Sequence, residues 1–448
     1  MYGNILFISL PFFIFISLFN FIPNQKDLLL ITLLATTIIF WASSLIPDYK
    51  ASLIFLFGSL FFSIAPKEII FSGFASSAFW LVFAGMLIAT SIKNVKLSER
   101  FSFLFTKIKS PSYLKILVYI SIFSFSFAFI MPSGVGRVVL LVPIGIMVAK
   151  NFGFHENSKG YIGILLTFIL CTSIPAFSIL TANAPNIILS GLATQIYNYE
   201  ILYSHYLFTN FLIFGLLKNI IIVSIIYYFY KDTPKINQNN SLSKPLCKKE
   251  KIVLYTITTM IIFWTTDFIH GINPSIIAIV GVLFLMNNSI AVINTKDINN
   301  INFSSLIFLA GVIGLGSVTA DNSFTKDLLS KTLTLFDFSS SSFFSYMQLS
   351  SFMAISATFL TQATVPAIFT PIVQQISELS GFNFNEIFMM QVAGFSTVFV
   401  PFQMPPLIIG ITLANIKQKA MIKVLLCLVL ITFLILFPLQ YLWTQFFL

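Results

Sequence analysis

Apolar residues run along the chain in blocks of about 20, separated by short polar segments. An α-helix of that length crosses roughly 30 Å of hydrocarbon, so each block predicts a membrane-spanning helix. The blocks do not alternate polar and apolar positions as the strands of a membrane β-barrel do. Eleven spans are predicted, at 5–22, 28–47, 51–65, 76–92, 161–196, 207–230, 252–272, 275–293, 305–320, 387–414 and 424–443. The pattern therefore predicts an all-α, polytopic membrane protein with about eleven transmembrane helices.

Two further apolar stretches, 114–148 and 346–376, are too long for one helix and each contains proline and small polar residues near its middle. Exposed backbone at such a break is tolerated at membrane depth only where it is buried in protein or lines a wet cavity. We therefore interpret both stretches as re-entrant hairpins. Residues 93–109 have an amphipathic pattern and predict a helix on the inner membrane surface.

Composition agrees with this reading, because 57% of the residues are hydrophobic and only 9% are charged. The net charge is +10. With the N-terminus in the cytoplasm, nineteen of the 25 Lys and Arg residues lie in cytoplasmic connections, four lie outside, and Arg137 and Lys218 lie within apolar segments. That asymmetry follows the positive-inside rule. We expect a multi-pass protein of a bacterial inner membrane, with lipid as its surroundings and without nucleic acid as a partner.

Catalytic and metal-binding patterns are absent from the sequence. Three cysteines and three histidines are scattered, and none of the HExxH, GxSxG or P-loop motifs occurs. A disulfide framework, a metal cluster, a bound cofactor and an enzymatic activity are therefore not expected.

The chain also contains an internal duplication. Four short sequence pairs recur in the same order at offsets of about 220 residues, among them TTIIFW from position 36 with TTMIIFW from 258, and VPI from 142 with TPI from 370. Because an odd number of crossings separates the copies, the second half is predicted to be inverted, as in many secondary transporters. The predicted parts are an N-terminal helix (1–27), a first repeat (28–230), a cytoplasmic linker (231–251) and a second repeat (252–448).

Helix-breaking and small polar residues coincide at four places, 132–137, 181–186, 361–366 and 401–406. An interrupted helix offers free N–H groups to an anion and free carbonyl groups to Na⁺, so one site can hold both. Arg137 is costly inside a membrane and is predicted to bind a substrate or to orient the first hairpin tip. Lys218 lies mid-span and is interpreted as a scaffold lysine. Acidic residues fall at segment ends, which disfavours a proton relay through buried carboxylates.

These residues resemble the divalent anion/sodium symporter family, which includes dicarboxylate, citrate and sulfate carriers of the ion transporter superfamily. FWLVFAGMLIATSIKNVKLSERF at 79–101 is similar to the family's helix before a surface segment, and NAPNIILSGLA at 183–193 is similar to its TPPN stretch. The resemblance covers nearly the whole chain. It implies a homodimer with a scaffold and a transport domain that moves like an elevator.

The resemblance also assigns the site. The family carries Ser-Asn-Thr at both hairpin tips, where this chain has Ser133-Gly134-Val135 and Thr361-Gln362-Ala363. The expected substrate-binding residues are Ser133, Gly134, Val135, Arg137, Asn186, Thr361, Gln362, Ala363, Thr364 and Pro405. The expected Na⁺-binding residues are Gly134, Thr181, Asn183, Gln362 and Gln403.

The function implied is secondary transport of a small anion, a di- or tricarboxylate or sulfate, with Na⁺ as the coupling ion. Arg137 is similar to the arginine of the SNTAR tip in exchanger-like members, several of which do not need sodium. A Na⁺-independent anion exchanger, or a Na⁺/H⁺-type or arsenite-type carrier of the same superfamily, is therefore the alternative.

Overall fold

The structure, a computed structural model, describes residues 2–43, 45–97, 112–235, 245–334, 336–338 and 341–447, and every regular element in these ranges is a helix. The α-helices up to residue 230 are Tyr2–Phe19, Gln25–Ser43, Asp48–Phe61, Lys67–Ile70, Ser72–Ala75, Ser77–Asn94, Tyr113–Ile130, Gly134–Asn151, Lys159–Ser173, Ala184–Tyr197, Tyr203–Asn210 and Lys218–Tyr230. Those that follow are Lys248–Thr265, Asp267–His270, Pro274–Met286, Thr295–Asn299, Phe303–Asp321, Ser323–Leu333, Ser342–Phe359, Thr364–Phe369, Val373–Ser380, Phe384–Phe395, Pro405–Ala414, Gln418–Ile431 and Phe437–Phe447.

The predicted all-α membrane architecture is confirmed. Eight helical segments of the described residues are long and apolar enough to cross a bilayer. They are Gln25–Ser43, Ser77–Asn94, Tyr113–Ile130, Gly134–Asn151, Lys159–Ser178, Tyr203–Tyr230, Phe303–Asp321 and Gln418–Phe446. The total of eleven spans stays a prediction, as does the cytoplasmic N-terminus.

Both long apolar stretches are interrupted within the predicted hairpins. The first hairpin has the arms Tyr113–Ile130 and Gly134–Asn151, and both arms pack against Lys159–Ser173. The second hairpin has the arm Ser342–Phe359 and a second arm at 364–380, which contains the 3₁₀ turn Thr370–Ile372. Re-entry of each hairpin on its own side of the membrane stays a prediction.

Two further helices are broken in the middle, and each is described below as a broken helix. The first consists of Lys159–Ser173 and Ala184–Tyr197, with the 3₁₀ turn Pro175–Ser178 between them. The second consists of Phe384–Phe395 and Pro405–Ala414, with the 3₁₀ turn Pro401–Gln403 between them. A hairpin precedes each broken helix, so the order of elements is the same in the two parts of the chain.

A long helix with a π-helical segment follows each broken helix. The π segments Phe211–Leu217 and Thr432–Leu436 begin 221 positions apart (211 and 432), close to the spacing of the sequence repeats. Lys248–Thr265 begins within the predicted linker, of which 236–244 lies outside the described residues. Most of the predicted surface helix, 98–109, also lies outside them. The division into repeats remains a prediction.

Small residues allow the helices to approach closely. A Cβ atom added at Gly73 would lie 2.1 Å from the carbonyl oxygen of Ala310, and one added at Gly311 would lie 2.4 Å from Cβ of Ser52. At Gly85 such an atom would lie 2.0 Å from Cγ of Pro132, in the first hairpin tip. Small residues at helix interfaces are typical of membrane proteins, where van der Waals packing drives association. The helix Ser77–Asn94 therefore supports the first hairpin tip directly.

Candidate functional site

The first hairpin tip is formed by a proline and a capping serine. The arm Tyr113–Ile130 ends before Pro132, which has no backbone N–H to continue the helix. The side chain of Ser133 accepts a hydrogen bond of 3.1 Å from the backbone N–H of Gly136 and so caps the second arm. Gly134 is half-buried at the start of that arm, and Val135 is exposed.

The second hairpin tip is closed by two threonines. The hydroxyl groups of Thr361 and Thr364 lie 2.7 Å apart. Thr361 is half-buried, whereas Gln362, Ala363 and Thr364 are buried. The side-chain nitrogen Nε2 of Gln362 has no hydrogen-bond partner among the described residues. This tip therefore contains one buried amide donor without a hydrogen-bond partner among the described residues.

The break of the first broken helix is held open by Asn186. Its Nδ2 donates to the carbonyl oxygens of Phe177 at 3.2 Å and Ile179 at 2.8 Å, in the unwound segment. Thr181, Asn183 and Asn186 are all buried. The second half of this helix begins after Asn183.

Gln403 organises the break of the second broken helix. Its Oε1 accepts hydrogen bonds from the backbone N–H groups of Phe399 at 2.6 Å and Val400 at 2.9 Å. Its Nε2 donates to the hydroxyl of Thr358 at 3.2 Å, on the first arm of the second hairpin. The exposed Pro405 begins the second half of the helix. Gln403 thus joins this break to the second hairpin.

Arg137 connects the first hairpin with the first broken helix. Its Nε donates to the carbonyl oxygen of Thr172 at 3.1 Å, and Nη1 donates to those of Ala182 at 2.8 Å and Met131. Its Nη2 donates to Oδ1 of Asn183 at 2.9 Å. The side chain is fully buried. Four oxygen atoms therefore surround the guanidinium group, and none of them belongs to a carboxylate.

Further contacts bring three of the four predicted interruptions together. A Cβ atom added at Gly134 would lie 3.0 Å from Cγ of Pro406 and 3.4 Å from Oδ1 of Asn183. The first tip therefore touches both broken helices, and Gln403 links the second broken helix to the fourth element, the second hairpin. Within the described residues no hydrogen bond joins Arg137 to Gln362 directly. The predicted roles of these residues in binding substrate and Na⁺ stay predictions.

Lys218 was not among the site residues predicted from the sequence, but it contacts the second broken helix. Only 1% of it is exposed, and its Nζ donates to the carbonyl oxygen of Ser396 at 2.9 Å and lies 3.3 Å from the hydroxyl of the same residue. The ammonium group also lies 5.1 Å from the centre of the Phe214 ring. Ser396 ends the first half of the second broken helix. The only signal in the sequence was a charge in mid-span, since the partner lies 178 residues away.

Unpartnered polar atoms collect at the same breaks. Nδ2 of Asn183, Oδ1 of Asn186 and the hydroxyls of Thr172 and Ser173 are buried without a protein partner among the described residues, like Nε2 of Gln362. Such groups cost free energy unless water or a ligand satisfies them. The same part of the chain contains no cluster of three His, Cys, Asp or Glu side chains that would hold a metal ion. The chemistry on offer is therefore amide and hydroxyl hydrogen bonding next to fixed positive charge.

The fold is similar to that of a transporter whose structure has been solved. The crystal structure of the YdaH transporter of Alcanivorax borkumensis aligns with a TM-score of 0.59 at 15% identity, over 88% of this chain and 89% of that one. Two relatives match at 23% identity: a membrane protein of Cupriavidus necator over 261 residues, and the inner membrane protein YbhI of Escherichia coli K12 over 263 residues. These alignments cover 55% and 56% of this chain, and about half the length of each relative, 50% and 54%.

The family assignment rests on a match along almost the whole sequence. The family model described as the sodium:sulfate symporter transmembrane region matches residues 4–448. The expected resemblance is thereby confirmed, together with a multi-pass membrane protein of transporter type. The chain belongs to the sodium:sulfate symporter family.

Proposed function

We propose that this protein is a secondary carrier of small anions, of the di- or tricarboxylate or sulfate class, and has no enzymatic activity. The observation that carries the proposal is the meeting of interrupted helices around Arg137, Gly134, Asn183 and Pro406. Interrupted helices at the membrane centre are the general means by which secondary carriers bind ions and anionic substrates. The unpartnered amide donors on Asn183 and Gln362 suit an anion as the ligand.

Helix ends support the same ligand class. Gly134–Asn151, Ala184–Tyr197 and Pro405–Ala414 all begin at the interruptions. The first N–H groups of Gly134–Asn151 and Ala184–Tyr197 have no partner within their own helix, whereas Pro405–Ala414 begins with two prolines that have no N–H. The positive end of each helix dipole favours negative charge. A small anion bound there would meet backbone donors from the first part of the chain and the positive dipole end of Pro405–Ala414 from the second.

The geometry of Arg137 bears on the coupling ion. Carbonyl oxygens at a helix break, together with an amide oxygen, form the kind of site in which Na⁺ binds. Here the guanidinium group of Arg137 already donates hydrogen bonds to the carbonyl oxygens of Met131, Thr172 and Ala182 and to the amide oxygen of Asn183. This observation favours the Na⁺-independent alternative over Na⁺ symport at the first break. We therefore propose anion transport without sodium, with Arg137 as a cation built into the chain.

The movement we propose is of the elevator type, as the resemblance implied. The hairpins and broken helices would form the moving part, and Ser77–Asn94 and Phe303–Asp321 would belong to the static part. We propose that the two parts meet where Gly85 packs on Pro132 and where Gly316 lies near the carbonyl oxygen of Ala367. A homodimer is also part of the proposal, because the family resemblance implies it.

Uptake of labelled succinate, citrate and sulfate into liposomes containing the purified protein tests the proposal, with Na⁺ or choline as the cation. We expect uptake of at least one anion in choline medium. Gln362→Leu removes the unpartnered amide, and loss of a hydrogen bond to a charged ligand costs about 1.5–3 kcal/mol, which is a KM about tenfold higher or more. Gln374→Leu, an exposed amide paired with Glu378, is the matched control. Failure to transport any anion would refute the function, and uptake only with Na⁺ would restore the symport hypothesis.

A further inference from the structure

A groove with a volume of about 540 Å³ runs between the helices Lys248–Thr265 and Pro274–Met286. That volume lies within the range of roughly 300–1,000 Å³ found for small-molecule sites. The walls include Ile252, Tyr255, Thr259 and Phe263 of the first helix and Val280 and Phe284 of the second. None of the lining residues belongs to the four interruptions. The groove is therefore separate from the proposed anion site.

The groove has the length of one membrane leaflet. The lining residues of the first helix recur every three or four positions, which places them on one face. From Ile252 to Phe263 an α-helix rises about 16 Å, which is half of the roughly 30 Å of hydrocarbon in a bilayer. Tyr255 is 70% exposed and Val280 is 60% exposed, so the walls are open to the surrounding hydrocarbon. An acyl chain of one leaflet therefore matches the groove in length and in polarity.

Lysines lie at one end of this groove. Lys248 precedes Ile252 by one helical turn, and Lys251 precedes Tyr255 by one turn, so both lie on the face that lines the groove. Both lysines are exposed. Side chains of a helix point back toward its N-terminus, which directs the two ammonium groups away from the hydrocarbon and toward the lipid headgroups.

The same end of the groove is positively charged overall. Lys249 donates from Nζ to the carbonyl oxygen of Ala291 at 2.9 Å, so a third lysine joins the start of the first helix to the segment after the second. The buried Glu250 accepts a hydrogen bond of 2.6 Å from the backbone N–H of Cys247 and caps its own helix. Three lysines therefore stand against one carboxylate, which is turned inward.

We propose that the groove binds an anionic phospholipid of the leaflet next to the linker, with the phosphate at Lys248 and Lys251 and one acyl chain along the groove. Basic residues between transmembrane helices on the cytoplasmic side, where the linker is predicted to lie, are typical of sites for anionic headgroups. Tyr255, one turn inside the lysines, places a hydroxyl at the interface between headgroup and hydrocarbon, as tyrosines of membrane proteins commonly do.

The charges favour a lipid over a second copy of this chain. A dimer with its twofold axis along the membrane normal would bring the same face of two copies together. Lys248 and Lys251 of both copies would then lie at one depth, where like charges repel. A phospholipid instead brings a negative charge to the lysines and an apolar chain to the groove.

The lipid is expected to stabilise the folded protein. Pro274–Met286 packs against Ser77–Asn94, the helix that supports the first hairpin tip through Gly85. A ligand that binds only the folded state raises its melting temperature.

Binding is tested with the purified full chain in detergent. Phosphatidylglycerol and phosphatidylcholine with the same acyl chains are titrated, bound lipid is counted by native mass spectrometry, and the melting temperature is measured in parallel. We expect phosphatidylglycerol to bind at least tenfold more tightly and to raise the melting temperature further. Equal affinity for the two lipids would overturn the inference. Equal stabilisation by inorganic phosphate would also overturn it, because the groove would then contribute nothing.

Charge substitutions test the headgroup site. The double substitution Lys248→Gln and Lys251→Gln should remove the preference for phosphatidylglycerol. Lys115→Gln is the matched control, because this exposed lysine also lies at the start of a membrane-spanning helix, Tyr113–Ile130, and should keep the preference. A preference that persists in the double variant would overturn the assignment of the headgroup to these lysines.

A substitution that fills the groove tests the acyl-chain site. Thr259→Trp should weaken the binding of both lipids at least tenfold, whereas Thr258→Trp, at the neighbouring exposed position outside the groove, should not. Unchanged lipid binding in Thr259→Trp would overturn the inference. Conversion of a dimer into a monomer by Thr259→Trp would also overturn it and assign the groove to a second copy of the chain.

Discussion

Replacement of Arg137 by alanine is expected to convert a site filled by the chain's own cation into a site for Na⁺. The substitution removes the donor from four buried oxygens, those of Met131, Thr172, Ala182 and Asn183. An unsatisfied buried polar group costs about 1–3 kcal/mol, and removal of a buried charge returns part of that sum. We expect a net loss of about 2–4 kcal/mol of stability in the absence of sodium.

Sodium should return part of this loss. A ligand that binds only the folded state stabilises it by RT ln(1 + [L]/Kd), which is about 1.4 kcal/mol when Na⁺ exceeds its Kd tenfold. The melting temperature of Arg137→Ala in detergent should therefore be lower than that of the unsubstituted protein in choline chloride and rise when NaCl replaces it. The unsubstituted protein should melt at the same temperature in both salts.

Lys150→Ala serves as the control, because it removes a cation from the far end of the same arm, where the side chain is exposed and pairs with Glu156 at 3.5 Å. It should melt as the unsubstituted protein does in either salt. Equal stabilisation by Na⁺ of the unsubstituted protein and of Arg137→Ala would show that sodium binds elsewhere. An unchanged melting temperature of Arg137→Ala in choline would refute the organising role of the guanidinium group.

Two further substitutions test the residues that support the site. Gly85→Ala places a Cβ atom 2.0 Å from Cγ of Pro132, so it should reduce anion uptake and lower the stability of the protein by about 1–3 kcal/mol. The control Gly281→Ala places its Cβ atom against the flexible side chain of Met260 and should have a small effect; equal effects of the two substitutions in uptake and melting assays would contradict this. Asp267→Asn leaves one oxygen for two N–H groups at the start of the helix after residue 202, so its melting temperature should reflect a loss of about 1–2 kcal/mol, with the exposed Glu68→Gln unchanged. An unaffected Asp267→Asn would show that the cap is dispensable.

The interruptions could be predicted from the sequence because their causes are local. Pro132 cannot donate to a helix, and Ser133 caps the next one, so the break follows from residues in the tip itself. The same reasoning located the break before Pro405. The length of each apolar run, about 20 residues, is also a local property, and it matches the thickness of the membrane. The membrane architecture could therefore be predicted from the sequence.

The partners of the buried cations could not be predicted in this way. Arg137 bonds to carbonyl oxygens 35 and 45 residues further along the chain, and Lys218 bonds to one 178 residues away. Every residue has a carbonyl group, so no side-chain type marks such an acceptor. Lys218 was therefore interpreted as part of the scaffold, and only the packing of the helices identified its neighbour.

The π segment Phe211–Leu217 directly precedes Lys218 and governs the direction of that side chain. A π bulge holds one more residue than the α-helical turn it replaces, and each residue of an α-helix advances its face by about 100°. A regular α-helix with the same number of residues would rotate everything beyond this segment by about that angle. Such a rotation would turn Lys218 away from Ser396, so the register set by the π segment, as much as the identity of the residue, determines where its charge lies.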